Sequence, residues 1–291
     1  VFMEYVTVIG CSMSIVCLAA TIFCLMIFAD IRSKMITKTR LNVCFCLMTA
    51  EIIMLTGLDK VEDVTGCIII AALLHFFFLS TFMWAAIEGF YLYLKIIRVF
   101  PSVEPKLRTY ILVGYTVPLL FVIITLASSL PDSYVGKYAC WLGPIVIWAF
   151  AAPLGLIMII NIVIFILCMR AQWRTNSSDV QQNTKLLVKL RGSACIFFML
   201  GITWITGFFY LHNQYLAIPF TILNSLQGVI IFLLLIPSDR IIRSRFKMLF
   251  SRWNVKEHQP LNTMTQGTRS TQSEMISRRQ SSSTHVHNGY L

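Results

Sequence analysis

The chain has 291 residues, of which 57% are hydrophobic and 13% charged, with a formal net charge of +11. A soluble domain carries about 25% charged residues, and here the apolar residues stand in long continuous runs without strand-type alternation, which excludes a soluble globular domain and a β-barrel. Runs of about 20 apolar residues are what a helix needs to cross a hydrocarbon core of about 30 Å, so the expected fold is an all-α membrane protein, a seven-transmembrane helix bundle plus an interfacial amphipathic eighth helix.

The first apolar stretch runs from Tyr5 to Phe28. It is too long for the h-region of a cleavable signal, and an opening at Val1 without a Met is what a piece of a longer protein would show. The predicted spans are 5–28, 41–58, 67–95, 110–130, 144–169, 190–211 and 217–236. The second is the shortest and carries Glu51. No internal repeat is apparent, which speaks against transporter folds built from duplicated halves. Pro118, Pro153 and Pro219 fall within spans four, five and seven, and span six places Gly201 and Gly207 on either side of Trp204. Gly201, Gly207 and Pro153 are the candidate hinges, with close helix packing as the competing explanation for the glycines. Three regions follow: a seven-span domain over 1–237, an amphipathic helix over 238–250 and a tail over 251–291.

Lys and Arg set the orientation. With the N-terminus outside, the predicted cytoplasmic side receives 22 of them and the outside only Lys60 and Lys137. The positive charge is therefore a positive-inside bias with some attraction to anionic lipid, not a nucleic-acid signal. The predicted outer side is slightly acidic, through Glu4, Asp59, Glu62, Asp63 and Asp132. Of nine Cys, seven (11, 17, 24, 44, 46, 168, 195) sit within or at the edge of spans and read as small apolar residues. Cys67 opens span three and Cys140 lies in the loop after span four; both face an oxidising compartment, so a disulfide between them is expected. The sequon Asn176-Ser177-Ser178 falls in the third cytoplasmic loop and is read as unused.

Pro237 ends span seven. From Ser238 to Phe250 the residues Ile241, Ile242, Phe246, Leu249 and Phe250 share one helical face, with Arg240, Arg243 and Lys247 elsewhere, as in a helix lying at the membrane interface. The tail beyond Trp253 is rich in Ser, Thr, Gln and Asn and reads as disordered. Arg278 and Arg279 precede Ser281, Ser282, Ser283 and Thr284, candidate phosphorylation sites whose modification would reverse the local charge. The terminal Gly289-Tyr290-Leu291 would suit a carboxylate-binding scaffold groove.

Ionisable groups inside spans are costly and mark function by default. Glu51 stands about 15 Å from the cytoplasmic end of span two, and Glu88 about 31 Å below Cys67, near the cytoplasmic face. These depths do not form a proton path. Residues 217–236 hold no Lys for a retinal Schiff base, and there is no metal cluster, G-x-S-x-G or P-loop, so an enzyme is not expected and no cofactor is implied.

Several strings resemble the seven-helix region of adhesion-class G-protein-coupled receptors, in particular the latrophilin and EGF-repeat seven-span branches. Span three reads His75-Phe76-Phe77-Phe78-Leu79, then Phe82-Met83-Trp84, Glu88-Gly89, Leu92-Tyr93-Leu94 and Val99-Phe100. The second outer loop carries Cys140-Trp141-Leu142, and span five Ile147-Trp148-Ala149-Phe150 with Pro153 and Asn161. Span six reads Leu200-Gly201-Ile202-Thr203-Trp204 with Gly207, and span seven Phe220-Thr221-Ile222-Leu223-Asn224-Ser225-Leu226-Gln227-Gly228.

The resemblance implies a receptor at the plasma membrane. Its agonist would be a peptide tethered to an extracellular region, its partner a heterotrimeric G protein, with arrestin or a scaffold protein as further partners of the tail. It implies Trp204 as the aromatic switch under the agonist, with Phe208, Trp141, His75, Phe78 and Asn224 lining or roofing the pocket. Glu88, Leu92 and Tyr93 would sit at the G-protein end. Where the family holds a His near the cytoplasmic end of span two, this chain aligns Arg40, a permanent cation, so the lock between helices two and three is expected to differ. The residues from Val1 to Glu4 look like the linker after the tethered peptide. Two competing readings are an adhesion or anchoring protein that signals little, and a secretin-type peptide-hormone receptor without its outer domain.

Overall fold

The computed structural model describes residues 2–58, 60–97, 106–129, 131–137, 139–174, 201–204, 217–237, 242–248 and 251. Phe208, Gly207, Cys195, the sequon, Ser281, Ser282, Ser283 and Thr284 lie outside them, as does most of predicted span six. The chain divides into two compact units, Val1–Asp239 and Arg240–Leu291.

In the first unit the helices are α1 (Phe2–Ile27), the short α2 (Ala29–Arg32), α3 (Met35–Gly57), α4 (Val64–Ile97), α5 (Leu107–Ser128), the single turn α6 (Pro131–Tyr134), α7 (Trp148–Arg174), a helical turn α8 over 201–204, α9 (Ala217–Ser225) and α10 (Gln227–Leu235). Five of these, α1, α3, α4, α5 and α7, are long and apolar enough to cross a membrane, and α9 with α10 makes a sixth, bent by 42°. In the second unit 242–248 is helical (α11), with Ile242 buried and Arg243, Arg245 and Lys247 exposed.

α3 begins at Met35, six residues earlier than hydropathy places span two. The polar run of Thr37, Lys38, Thr39 and Arg40 hides the start, yet Thr37, Thr39 and Arg40 are buried. The cost of burying a cation is offset by a carboxylate on α4, described below. α4 is 34 residues long, about 50 Å, and so outruns a hydrocarbon core. Its start is fixed by Asp63, whose Oδ1 accepts from the Thr65 amide at 3.1 Å and whose carbonyl accepts from Cys67 N at 2.8 Å. α7 starts at Trp148 rather than at 144, because 144–147 is a turn with three-residue hydrogen bonds, Trp148 N to Ile145 O and Ala149 N to Val146 O.

Pro118 and Pro153 are inside helices α5 and α7. Pro219 lies in α9. The bend in the seventh span sits at Leu226, between Ser225 and Gln227.

Small residues let α1 approach the seventh span. A Cβ added to Gly10 would run into the Ser225 side chain, and one added to Gly228 into Ser14 Oγ and, at 2.7 Å, Leu18 Cγ. Without a strong hydrophobic drive between helices in lipid, such close backbone approach is a main source of association. Gly228→Ala is expected to lower the thermal stability of the purified protein by about 1–3 kcal/mol. Gly155→Ala, where nothing stands within 4 Å of the added carbon, is expected to be neutral. Equal melting temperatures for both variants would remove the α1–α10 contact from the stability of the fold.

Candidate functional site

The loop between α5 and α7 is a short hairpin. Val135 and Leu142 form an antiparallel bridge, the Gly136 amide donates to Trp141 O at 2.8 Å, and the Gly143 amide donates to Tyr134 O at 2.9 Å. The expected disulfide is present: Cys67, near the start of α4, is bonded to Cys140 in the hairpin. The Cys140 amide donates to Leu58 O at 2.9 Å, so the hairpin is also tied to the end of α3. Tyr134 lies beneath it with its hydroxyl 3.5 Å from His75 Nδ1. Burial pushes that phenol up to about 12, so it stays neutral through the physiological range. The crosslink closes a separation of 73 residues, worth on the order of 4 kcal/mol in the chain-entropy account. Cys67→Ser and Cys140→Ser are each expected to cut surface delivery several-fold in a cell-surface labelling assay. Delivery and activity equal to the parent in both would make the crosslink dispensable.

The hairpin sets Trp141 over an aromatic cluster centred on Trp204. Ring centroids of Phe150 and Phe78 lie 4.8 and 4.9 Å from that of Trp204, those of Phe220 and Trp141 at 5.9 and 6.0 Å, and that of Phe82 at 6.4 Å. Trp141 also packs edge-on to Phe78 and Phe150, and His75 edge-on to Phe150 at 5.8 Å. The cluster draws on α4, α7, α8, α9 and the hairpin, and Trp204 on α8 touches a ring from each of the other four. Two polar hydrogen-bonding atoms in this apolar setting, Trp204 Nε1 and His75 Nε2, are buried without a partner among the described residues.

Of the expected pocket residues, Trp204, Trp141, His75 and Phe78 come together here. Asn224 does not join the rings; its amide lies 3.9 Å from Met54 Sδ on α3. Phe82, Phe150 and Phe220 belong to the cluster although the sequence assigned them no role. A signal for Phe82 was available: His75, Phe78 and Phe82 stand at i, i+3 and i+7, one stripe of α4.

At the other end of α4, Arg40 Nε donates to Glu88 Oε1 at 2.9 Å, with side chains 10% and 3% exposed. One turn further, Leu92 packs with Ile36 and Cys168, and Tyr93 lies against this group with Ile164 and Met169. Glu88, Leu92, Tyr93 and Arg40 are thus brought to one region. Gly89 lets α7 approach: its added Cβ would lie 2.9 Å from Asn161 Oδ1. Gly201 faces α7 in the same way, with Met158 Cε at 2.7 Å, and Pro153 lies one turn along the same helix from Phe150. Among the described residues no group of three or more His, Cys, Asp or Glu could hold a metal ion.

The model of the family described as "7 transmembrane receptor (Secretin family)" matches residues 2–231. Adhesion G protein-coupled receptor E5 of Mus musculus is 30% identical over 287 residues, 94% of this chain and 35% of that protein. Adhesion G protein-coupled receptor E1 of Mus musculus is 35% identical over 258 residues, covering 84% and 27%, and Adhesion G protein-coupled receptor L1 of Homo sapiens is 33% identical over 240 residues, covering 79% and 16%. The chain spans about a third or less of the length of these curated relatives. With its apolar helices, its disulfide-tied hairpin and this match over most of its length, the chain belongs to the seven-transmembrane receptors of the secretin family, as a multi-pass membrane receptor of the adhesion G-protein-coupled class.

Proposed function

We propose that this chain is the signalling module of an agonist-gated receptor at the plasma membrane, with the hairpin end of the bundle outside and the Arg40–Glu88 end facing a heterotrimeric G protein. The agonist is a short apolar peptide tethered to an extracellular region. It enters beneath Trp141 and presses on Trp204, and α7 and the sixth span shift at Pro153, Gly201 and Gly207.

One observation carries this reading: a buried Trp204 touches rings from three other helices and a crosslinked loop at once. An apolar ligand gains from such a pocket by area, and an acceptor on its backbone could satisfy Trp204 Nε1 and His75 Nε2, which otherwise cost free energy. Phe208 and Asn224 complete the pocket in this proposal. The segment 238–250 lies along the inner membrane surface, while 251–291 offers Ser281, Ser282, Ser283 and Thr284 for phosphorylation and an arrestin or scaffold contact.

The test is G-protein activation by this chain in membranes, across a panel of G proteins, with and without a synthetic peptide matching the residues just before Val1 in the longer protein. Peptide-dependent activation is expected. No activation of any G protein by folded, surface-expressed material would favour the anchoring alternative.

A further inference from the structure

A second polar cluster, where α1, α3 and the bend in the seventh span meet, is used neither by the aromatic pocket nor by the Arg40–Glu88 pair. Glu51 on α3 is 1% exposed. Its Oε1 accepts from Ser14 Oγ at 2.8 Å, while Oε2 has no partner among the described residues. A carboxylate in the interior of an apolar bundle is costly unless something neutralises it. Gln227, the first residue of α10, is 2% exposed and is unpartnered at both Oε1 and Nε2.

Register puts these two side chains at one level. α1 runs alongside the seventh span, with Cys11 by Ser225 and Ser14 by Gly228. It turns back into α3 through a short connection, so α3 is antiparallel to α9 and α10. Asn224 meets Met54. Glu51 and Gln227 each stand three residues further along, toward the same end of the bundle, about 4.5 Å below that contact.

The bend adds a third element. The Gly228 amide donates to Ser14 Oγ at 2.8 Å. In an unbroken helix it would donate to the carbonyl of Asn224, four residues back; here it is tied to a side chain of α1 instead. Broken membrane helices are where small monovalent cations are bound in other membrane proteins.

We propose that a sodium ion binds between α3 and the α9–α10 bend, held by Glu51 Oε2 and Gln227 Oε1. One carboxylate matches one positive charge; a divalent ion would leave net charge in the interior. Ser14 joins Glu51 to the Gly228 amide, so the bound ion fixes the bend and links three helices.

The test is thermal unfolding of the purified chain in nanodiscs with sodium chloride, potassium chloride or choline chloride at equal ionic strength. It requires neither agonist nor G protein, so its outcome is independent of the proposed signalling. Sodium is expected to raise the unfolding temperature saturably, by about 3 °C or more, relative to choline. Glu51→Gln and Gln227→Leu are each expected to abolish that rise. If Glu51→Gln fails to fold, Gln227→Leu decides alone. No sodium-specific shift in the parent, or a shift that survives in the variants, would overturn the proposal. So would an unfolding temperature that follows pH but not sodium, which would identify a proton as the neutralising ion.

Discussion

Trp204→Ala is expected to abolish the response to the agonist peptide while leaving a measurable amount of protein at the cell surface. Truncating a buried Trp removes contacts worth about 3–5 kcal/mol, here spread over Phe78, Phe82, Trp141, Phe150 and Phe220. Part of that loss falls on stability, so the measurement is a peptide dose–response normalised to surface expression. Trp204→Phe serves as the control: it keeps an aromatic ring against Phe150 and Phe78 while removing the indole N–H. A right-shifted curve with Trp204→Phe and no response with Trp204→Ala would place both the ring and the N–H in the switch. A normal response from a well-expressed Trp204→Ala would take Trp204 out of that role.

The aromatic pocket was partly legible in the sequence because its parts obey local rules. Cys67 and Cys140 could be paired from topology and redox compartment alone, and the disulfide carries Trp141 to the top of α4. The His75, Phe78, Phe82 stripe has helical spacing. Phe150 and Phe220 had no such signal; they reach Trp204 through tertiary packing, one from α7 and one from α9.

Two features escaped for a different reason. Hydropathy ends a span at the first cations, so Arg40 marked a boundary, whereas in the fold its charge is met by Glu88 and α3 continues back to Met35. The bend of the seventh span carried no local signal: it falls at Leu226, beside a tertiary contact, Gly228 N to Ser14 Oγ, between residues 214 apart in the chain.

Arg40 and Glu88 give the second large effect, through the asymmetry between breaking a buried ion pair and replacing it. Arg40→Met removes the cation 2.9 Å from Glu88 and takes its Arg40 partner from a carboxylate that is 3% exposed, a cost of about 3–5 kcal/mol. Glu88→Leu takes the carboxylate partner from the buried guanidinium in the same way. Each single variant is therefore expected to lose most of its yield of folded protein and to melt well below the parent. The double variant Arg40→Met, Glu88→Leu buries no charge, and its stability is expected to return to within about 1 kcal/mol of the parent. That recovery separates the ion pair from simple packing, because two independent packing losses would add. Function is expected to diverge from stability here. Apolar side chains cannot reproduce a directional link between α3 and α4, so the stable double variant should signal more without agonist than the parent does, measured as basal G-protein activation per surface receptor. Basal activity equal to the parent would reduce Arg40–Glu88 to a structural element; a double variant as unstable as the singles would show that the pair is not isolated from its neighbours, and Leu92 and Cys44 would be the next residues to vary.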